Sequence, residues 1–271
     1  IHPITASAIV VAAGGFEANI DWLKEAWGAA AENFLIRGTP HNTGGLLRIL
    51  LDHGARPVGD ADQCHAVPID ARSPKFDGGI ATRVDCVPYA IMVNALAKRF
   101  YDEGEDIWPK RYAIWGRLVA RQPEQIAYAI IDAKSRGLFM PTLYPAIQAD
   151  TIRELAAKLE LDAGALEATV DAFNAAVQPG DFDAARLDGC HTRGIDPPKT
   201  NWARRLDTPP YCGYPLRPGI TFTYLGVEVD EKARVLFGAR KKPAENIFAA
   251  GEIMAGNILG QGYVGGLGLL I

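Results

Sequence analysis

Cysteine is scarce and scattered. The four present, Cys64, Cys86, Cys190 and Cys212, make no CxxC pair and no close Cys/His spacing. Neither a disulfide framework nor a zinc site is expected, no metal is assigned, and a reducing, cytoplasmic compartment fits best. Long hydrophobic runs are missing too: no stretch approaches the roughly 18 apolar residues that span a bilayer, and no basic segment leads into an apolar signal core. Charge of one sign is not in excess. Lys+Arg number 28 and Asp+Glu 32, a net −4 over 271 residues, so there is no broad basic surface for DNA or RNA and no nucleic-acid partner is expected.

The hydrophobic share of 48% and charged share of 22% are those of a folded globular protein, which excludes disorder and fibrous repeats. At roughly 150 residues per domain the length suits one large or two ordinary domains. Ala8 to Phe16 is a short apolar run ending in Gly14 and Gly15, the pattern of a parallel strand buried on both faces. Helices are predicted from Asp21 to Ala31 and from Gly44 to His53, the second stopped at Gly54. Between about 66 and 120 the prolines Pro68, Pro74, Pro88 and Pro109 suggest an inserted mixed domain with a short strand at Ala90 to Asn94. Thr151 and Glu154 form a capping-box signature, and Leu166, Val170, Phe173 and Val177 mark a second helix beyond it; both stripes read as packing surfaces. Pro197-Pro198, Pro209-Pro210, Pro215 and Pro218 suggest a return connection, followed by strands at Leu225 to Asp230 and Asn246 to Ala250. A chain that opens on an interior strand and closes among apolar residues without a cap reads as cut at both ends.

Gly260-Gln261-Gly262-Tyr263-Val264-Gly265 matches GxGxxG literally, but it lacks the preceding strand and the acidic residue about 20 positions later that a dinucleotide fingerprint requires. Two other readings remain for it: glycines that let backbone N–H groups and a helix start near Gly265 approach a ligand, or a glycine-rich helix packed closely on a sheet. Glu252, at the carboxyl end of a predicted parallel strand, is placed either to accept from a ribose or ribityl hydroxyl or as an exposed turn residue. Gly38-Thr39-Pro40-His41-Asn42-Thr43-Gly44-Gly45 is a second polar, glycine-bearing loop entering a helix.

Taken in order these segments resemble the flavoprotein family of fumarate reductases, succinate dehydrogenases, aspartate oxidases and ketosteroid dehydrogenases over essentially the whole chain. The residues that carry the resemblance are Val10 to Phe16, Gly38-Thr39 with Thr43-Gly44, Gln63-Cys64-His65, Ala90 to Asn94 with Arg99-Phe100, and Ala249-Ala250-Gly251-Glu252. The wording of Arg217 to Gly226 and of Gly251 to Asn257 is most similar to the tricarballylate-oxidising branch. The resemblance implies an α/β fold: a FAD-binding, Rossmann-like parallel sheet, incomplete at its N-terminus, with an inserted α+β capping domain. It implies FAD-binding parts at 1–66 and 209–271 and the capping, substrate-handling part at 67–208. The cofactor implied is FAD, held by Gly14, Gly15, Thr43, Gly44, Glu252, Gly265, Gly266 and Leu267. The reaction implied is dehydrogenation of a saturated C–C bond beside a carboxylate, tricarballylate going to cis-aconitate. The partners implied are a small tricarboxylate substrate and an electron-acceptor protein at the membrane.

Site roles carry over position by position. His65 matches a histidine that binds a substrate carboxylate, with a hydrogen-bonded histidine at a domain seam as the plainer role. Arg111 lies near the family's cap arginine that handles the substrate proton, with Arg117 as the fallback and a solvated arginine as the alternative; a relay to Glu103 or Glu105 is then needed, because an arginine pKa exceeds about 12. Arg217, Thr223 and Tyr263 are the further substrate-binding candidates. Two departures set the chain apart from fumarate reductases: no histidine stands in Ile220-Thr221-Phe222-Thr223-Tyr224, and Tyr263 replaces an arginine before the final glycine pair. The glycine, two residues, tyrosine spacing is also similar to ketosteroid dehydrogenases, which makes a ketosteroid the alternative substrate. The supply of arginines, Arg72, Arg83, Arg99, Arg111, Arg117, Arg121 and Arg217, favours the acid. A third reading is a catalytically inactive fragment that contains the capping domain.

Overall fold

The computed structural model describes residues 4–76, 81–263 and 265–266. In chain order its strands are β1 (Ile9–Val11), β2 (Leu35–Ile36), β3 (Pro57–Val58), β4 (Cys64–Asp70), β5 (Ile91–Asn94), β6 (Ala127–Ile131), β7 (Ile147–Ala149), β8 (Tyr211–Thr223), β9 (Gly226–Val227), β10 (Arg234–Phe237) and β11 (Lys242–Ala249). The α-helices are α1 (Ile20–Trp27), α2 (Gly45–Asp52), α3 (Trp108–Ala120), α4 (Ile152–Lys158) and α5 (Ala163–Ala176). The class is α/β with mixed sheets: β1 lies parallel to β11, and β2 parallel to β8, while the remaining ladders are antiparallel. Among the described residues no helix is long and apolar enough to cross a membrane.

Helix starts follow local capping chemistry. The Asn19 side chain accepts from the Trp22 N–H, Thr151 Oγ1 from the Glu154 N–H, and Asp162 Oδ1 from the Ala165 N–H, each satisfying a first-turn donor. The helix expected over Asp21 to Ala31 runs as α1 only to Trp27 and continues as a 3₁₀ turn to Asn33, and the one expected at Gly44 to His53 is α2.

Three sequence expectations are corrected and one unmarked helix is added. The Pro-rich stretch beyond Pro210 is the 13-residue strand β8 rather than a connection. Proline tolerates this because its fixed φ suits extended backbone and only its missing N–H is lost. The carbonyls still serve, as when the Ala71 N–H donates to Pro215 O at 2.8 Å. Second, the mixed segment holds a helix that the sequence reading does not mark, Trp108–Ala120; Pro109 sits in its first turn, where an N–H has no intrahelical partner anyway. Third, the strand expected at Leu225 to Asp230 is only the two-residue β9. Fourth, β1 is not buried on both faces: it is an edge strand, and Ile9 and Val10 are 53% and 66% exposed.

β8 organises the interior. Its first half pairs with β6 and β7 and its second half with β4 and β2. One core packs α4 and α5 on β5 and β6 through Leu155, Leu166, Val170 and Phe173. A second gathers α1, α2, β2 and the end of β11 around Phe16, Leu23 and Leu47. Between them, α3 lies across β4 at Gly116, where a Cβ would come within 2.4 Å of the Ala66 carbonyl carbon. This close approach brings the side chains of α3 over the β4–β8 ladder, in which His65 faces Phe222 and Cys64 faces Thr223.

Candidate functional site

Where β1, β8 and the turn after β11 converge, two carboxylates share one amide. Asn42 Nδ2 donates to Glu17 Oε1 at 2.6 Å and to Glu252 Oε2 at 3.1 Å. Glu252 Oε1 accepts from the Thr223 N–H at 2.8 Å and its hydroxyl at 3.3 Å, and the same hydroxyl accepts from the Phe16 N–H. Gly15 closes the cluster: a Cβ there would stand 2.1 Å from Glu252 Oε1 and 2.3 Å from Thr223 Oγ1. Gly14 adopts φ +72°, and a Cβ on it would overlap Asn42. Burial, and then the Glu252 charge, pushes the Glu17 carboxyl up from 4.5 to about 8, and burial raises Glu252 as well.

A second cluster is aromatic. The His65 ring stacks on Phe222 at 5.1 Å and meets Tyr263 and Tyr112 edge-on at 4.4 and 5.4 Å. Trp108 stacks on Tyr112 at 4.4 Å, and the Arg83 guanidinium lies over both rings. His65 Nε2 is 3.4 Å from the Tyr112 hydroxyl, while Nδ1 is buried without a partner. Burial, with the Arg37, Arg83 and Arg117 charges behind it, lowers the His65 pKa to about 3, so near neutral pH the ring carries no charge. In the unfolded chain the ring takes up a proton below about 6.5, whereas in the folded chain it does not until about 3. Its contribution to stability is therefore lost as pH falls through that window. Histidine-resolved NMR is expected to show no His65 titration between pH 5 and 8; a midpoint near 6.5 contradicts this environment.

Beside the aromatic cluster lies a cavity of about 410 Å³ lined by Gln63, Arg111, Arg117, Arg121, Gln261 and Gly262. Arg117 is 6% exposed and donates to the Gln261 carbonyl, while its Nε and the Gln63 Oε1 are buried without a partner. Arg111 Nε is 2.7 Å from Glu105 Oε1, an ion pair about one-third exposed. Burial raises the Glu105 pKa in spite of that partner.

The structure thus brings His65 and Tyr263 together, and Gly14, Gly15 and Glu252 together. Thr223, a substrate-binding candidate, lies among the Glu252 contacts. Arg217 is not brought to either cluster; its guanidinium donates to the Glu124 and Gln125 carbonyls. Arg111 lines the cavity rather than touching His65, which Tyr112 reaches. Gly44, at φ +76°, caps α2 against Trp22 and Phe16, and the Thr43 carbonyl accepts from Asn19. The Gly265 N–H donates to Pro109 O at 3.0 Å and Gly266 adopts φ +90°, whereas Leu267 lies outside the described residues. Of the other arginines, Arg72 pairs with Asp70, Arg83 with Asp85 and Arg99 with Glu103. Glu17, Asn42, Tyr112, Trp108 and Phe222 were not singled out in the sequence. Asn42 sits inside the second glycine-bearing segment and Glu17 directly after the first, but Tyr112 and Trp108 needed the phase of α3 to be known.

The first cluster suits a flavin nucleotide. Glycine backbone without Cβ stands beside a carboxylate, an amide and a hydroxyl, and Glu17 Oε2 is buried with no hydrogen-bond partner. Residues 1–269 match the family model described as FAD binding domain. The chain is 28% identical over 272 residues to the NADH:acrylate oxidoreductase of Vibrio harveyi, covering 93% of this chain and 25% of that protein. It is 30% identical over 200 residues to the 3-oxosteroid 1-dehydrogenase of Mycobacterium tuberculosis, covering 66% and 35%. The open conformation of a flavocytochrome c3 fumarate reductase superposes with a TM-score of 0.62 at 22% identity, over 95% of this chain and 43% of that one. The chain therefore spans a quarter to about a third of the length of these curated relatives. With glycines, carboxylate and family match in agreement, the chain belongs to the FAD-binding flavoproteins of the fumarate reductase and ketosteroid dehydrogenase family, whose cofactor is FAD.

Proposed function

We propose that the full-length protein is an FAD-dependent dehydrogenase that removes two hydrogens from a saturated C–C bond beside a carboxylate, with tricarballylate as substrate and cis-aconitate as product. The observation that carries this reading is the cavity that Arg111, Arg117 and Arg121 line together with Gln63 and Gln261. Carboxylates need cationic, hydrogen-bonding partners, and a planar guanidinium with an unpaired Nε is such a partner. The named activity of the acrylate oxidoreductase, a relative acting on a carboxylate, supports it too.

FAD, when bound, supplies the two-electron acceptor. Gly14, Gly15, Thr43, Gly44 and Glu252 would hold it, with Gly265, Gly266 and Leu267 from the chain's end; the segments 1–66 and 209–271 would form its domain and 67–208 the cap. His65, being neutral, would donate or accept a hydrogen bond rather than supply charge. Arg111 would pass the substrate proton to Glu105, whose raised proton affinity suits an acceptor. The four buried free cysteines suit a reducing cytoplasm, and an acceptor protein at the membrane would take up the electrons.

The aromatic cluster favours a second reading, an oxo substrate such as a ketosteroid. Phe222, Trp108 and Tyr263 offer flat apolar walls, and one relative is named a 3-oxosteroid dehydrogenase. Turnover of the FAD-loaded full-length protein decides between them. Tricarballylate is expected to be oxidised at least 10²-fold faster than a 3-oxosteroid, because cations left unpaired around an apolar ligand cost several kcal/mol, of order 3–5. The reverse ranking overturns the acid reading.

A further inference from the structure

We propose that Glu17 is a positioning residue of the cofactor site: a neutral carboxyl that shares one proton with Glu252 and fixes both Glu252 and Asn42 in place. The inference rests on the reading that Glu252 faces FAD, and it assigns a role to a residue that no glycine motif marks.

Geometry requires the proton. Glu17 is 5% exposed, and Asn42 Nδ2 donates to both its Oε1 and Glu252 Oε2. A single NH₂ group with two contacts cannot neutralise two carboxylates. Among the described residues no lysine or arginine forms an ion pair with either. The side chains acting on Glu17 from the surrounding elements are Asn42 from the loop before α2 and Glu252 from the turn after β11, while Thr223 at the end of β8 contacts Glu252; of these only Glu252 titrates. As an ionised group Glu17 would leave Oε2 buried with no donor. As a protonated group its hydroxyl has an acceptor in Glu252, and the cluster is satisfied. Asymmetry decides which member keeps the proton: Glu252 receives the Thr223 N–H and hydroxyl, which favour its ionised form. The neutral member is Glu17, in line with its upward shift to about 8. Glu252 is thereby left ionised to accept from a cofactor hydroxyl.

The sign of the pH dependence follows. A carboxyl whose pKa rises from 4.5 to about 8 on folding contributes stability that is full below about 4.5, declines as pH rises, and is gone above about 8. Glu17→Gln keeps a donor toward Glu252 and an acceptor for Asn42 but cannot ionise. In the full-length protein, flavin-fluorescence titrations from pH 6 to 9.5 are expected to show the wild-type FAD Kd rising above about pH 8, approaching tenfold per pH unit, while that of Glu17→Gln stays flat. The thermal midpoint of the FAD-free wild type is expected to fall relative to the variant between pH 6 and 8, then run parallel. Parallel Kd profiles overturn the positioning role, and parallel apo midpoints overturn the shared proton. Should neither protein bind FAD, the placement of the cofactor fails, while the apo midpoints still test the pair. If Glu17→Gln does not fold, the infrared carbonyl band of wild-type Glu17 serves instead: a protonated carboxyl at pH 6.5 supports the proposal and a carboxylate overturns it.

Discussion

Gly15→Ala is expected to abolish tight FAD retention by the full-length protein. The new methyl would stand 2.1 Å from Glu252 Oε1 and 2.3 Å from Thr223 Oγ1, well inside contact distance. Both are side-chain atoms, yet neither is loose, because Glu252 is held by the Thr223 N–H and by Asn42, and the Thr223 hydroxyl by Phe16 N–H. Moving the carboxylate breaks those bonds and leaves buried polar groups unpaired, at about 1–3 kcal/mol for each group. Overpacking adds about 1–3 kcal/mol of strain to the fold itself. A Kd increase of about 10²-fold or more, read by equilibrium dialysis against FAD, is the expected result. Unchanged affinity would remove this cluster from the cofactor site. The milder Glu252→Ala change is expected to weaken binding by about 1–3 kcal/mol.

The second large effect lies in a buried ion cluster separate from both groups of side chains described above. Glu103 accepts from Arg99 Nε at 3.1 Å, from Arg99 Nη2 at 2.6 Å and from the Met92 N–H at 2.7 Å, and lies 3.8 Å from Lys199 Nζ. Its side chain is 0% exposed and those of Arg99 and Lys199 are 6% and 1% exposed. Burial lowers the Lys199 pKa to about 8, a sign of how poorly the site tolerates an unpaired cation. Glu103→Gln keeps the shape but removes the one carboxylate that, among the described residues, pairs with both cations, so a loss of about 3–5 kcal/mol is expected. That corresponds to a thermal midpoint roughly 6–20 °C lower, at about 2–4 °C per kcal/mol for a fold of this size. A calorimetric shift no larger than that of removing the exposed Arg153–Glu167 pair, about 0.5 kcal/mol or less, would contradict it.

The sequence makes some of this visible and hides the rest for identifiable reasons. Helices with local caps, such as the one opened by Thr151 and Glu154, can be read because the cap and the apolar period lie in the same few residues. Strand β8 could not, since four prolines in and before it signal a connection, and only the ladders to β4 and β6 show that its carbonyls and remaining N–H groups suffice. Helix α3 was hidden by Pro109, and with it the placement of Tyr112 on His65 and of Arg111 on the cavity wall. Glu252 and the Gly14-Gly15 pair can be marked because paired glycines and a carboxylate at a strand end are visible in the sequence itself. Glu17 did not, because a carboxyl's charge state depends on what folds around it. Arg217 is marked by its cationic chemistry alone, and the sequence does not show that its Nη1 donates to the Glu124 and Gln125 carbonyls.

Anaerobic reduction of the bound flavin tests the proposed chemistry most directly. The FAD-loaded full-length protein is mixed with tricarballylate and followed at ~450 nm, where oxidised flavin absorbs, a general property of the cofactor. Bleaching within the turnover time, with an unsaturated tricarboxylate formed in stoichiometric amount, is the predicted outcome. A flavin that stays oxidised with tricarballylate but bleaches with a 3-oxosteroid would contradict it.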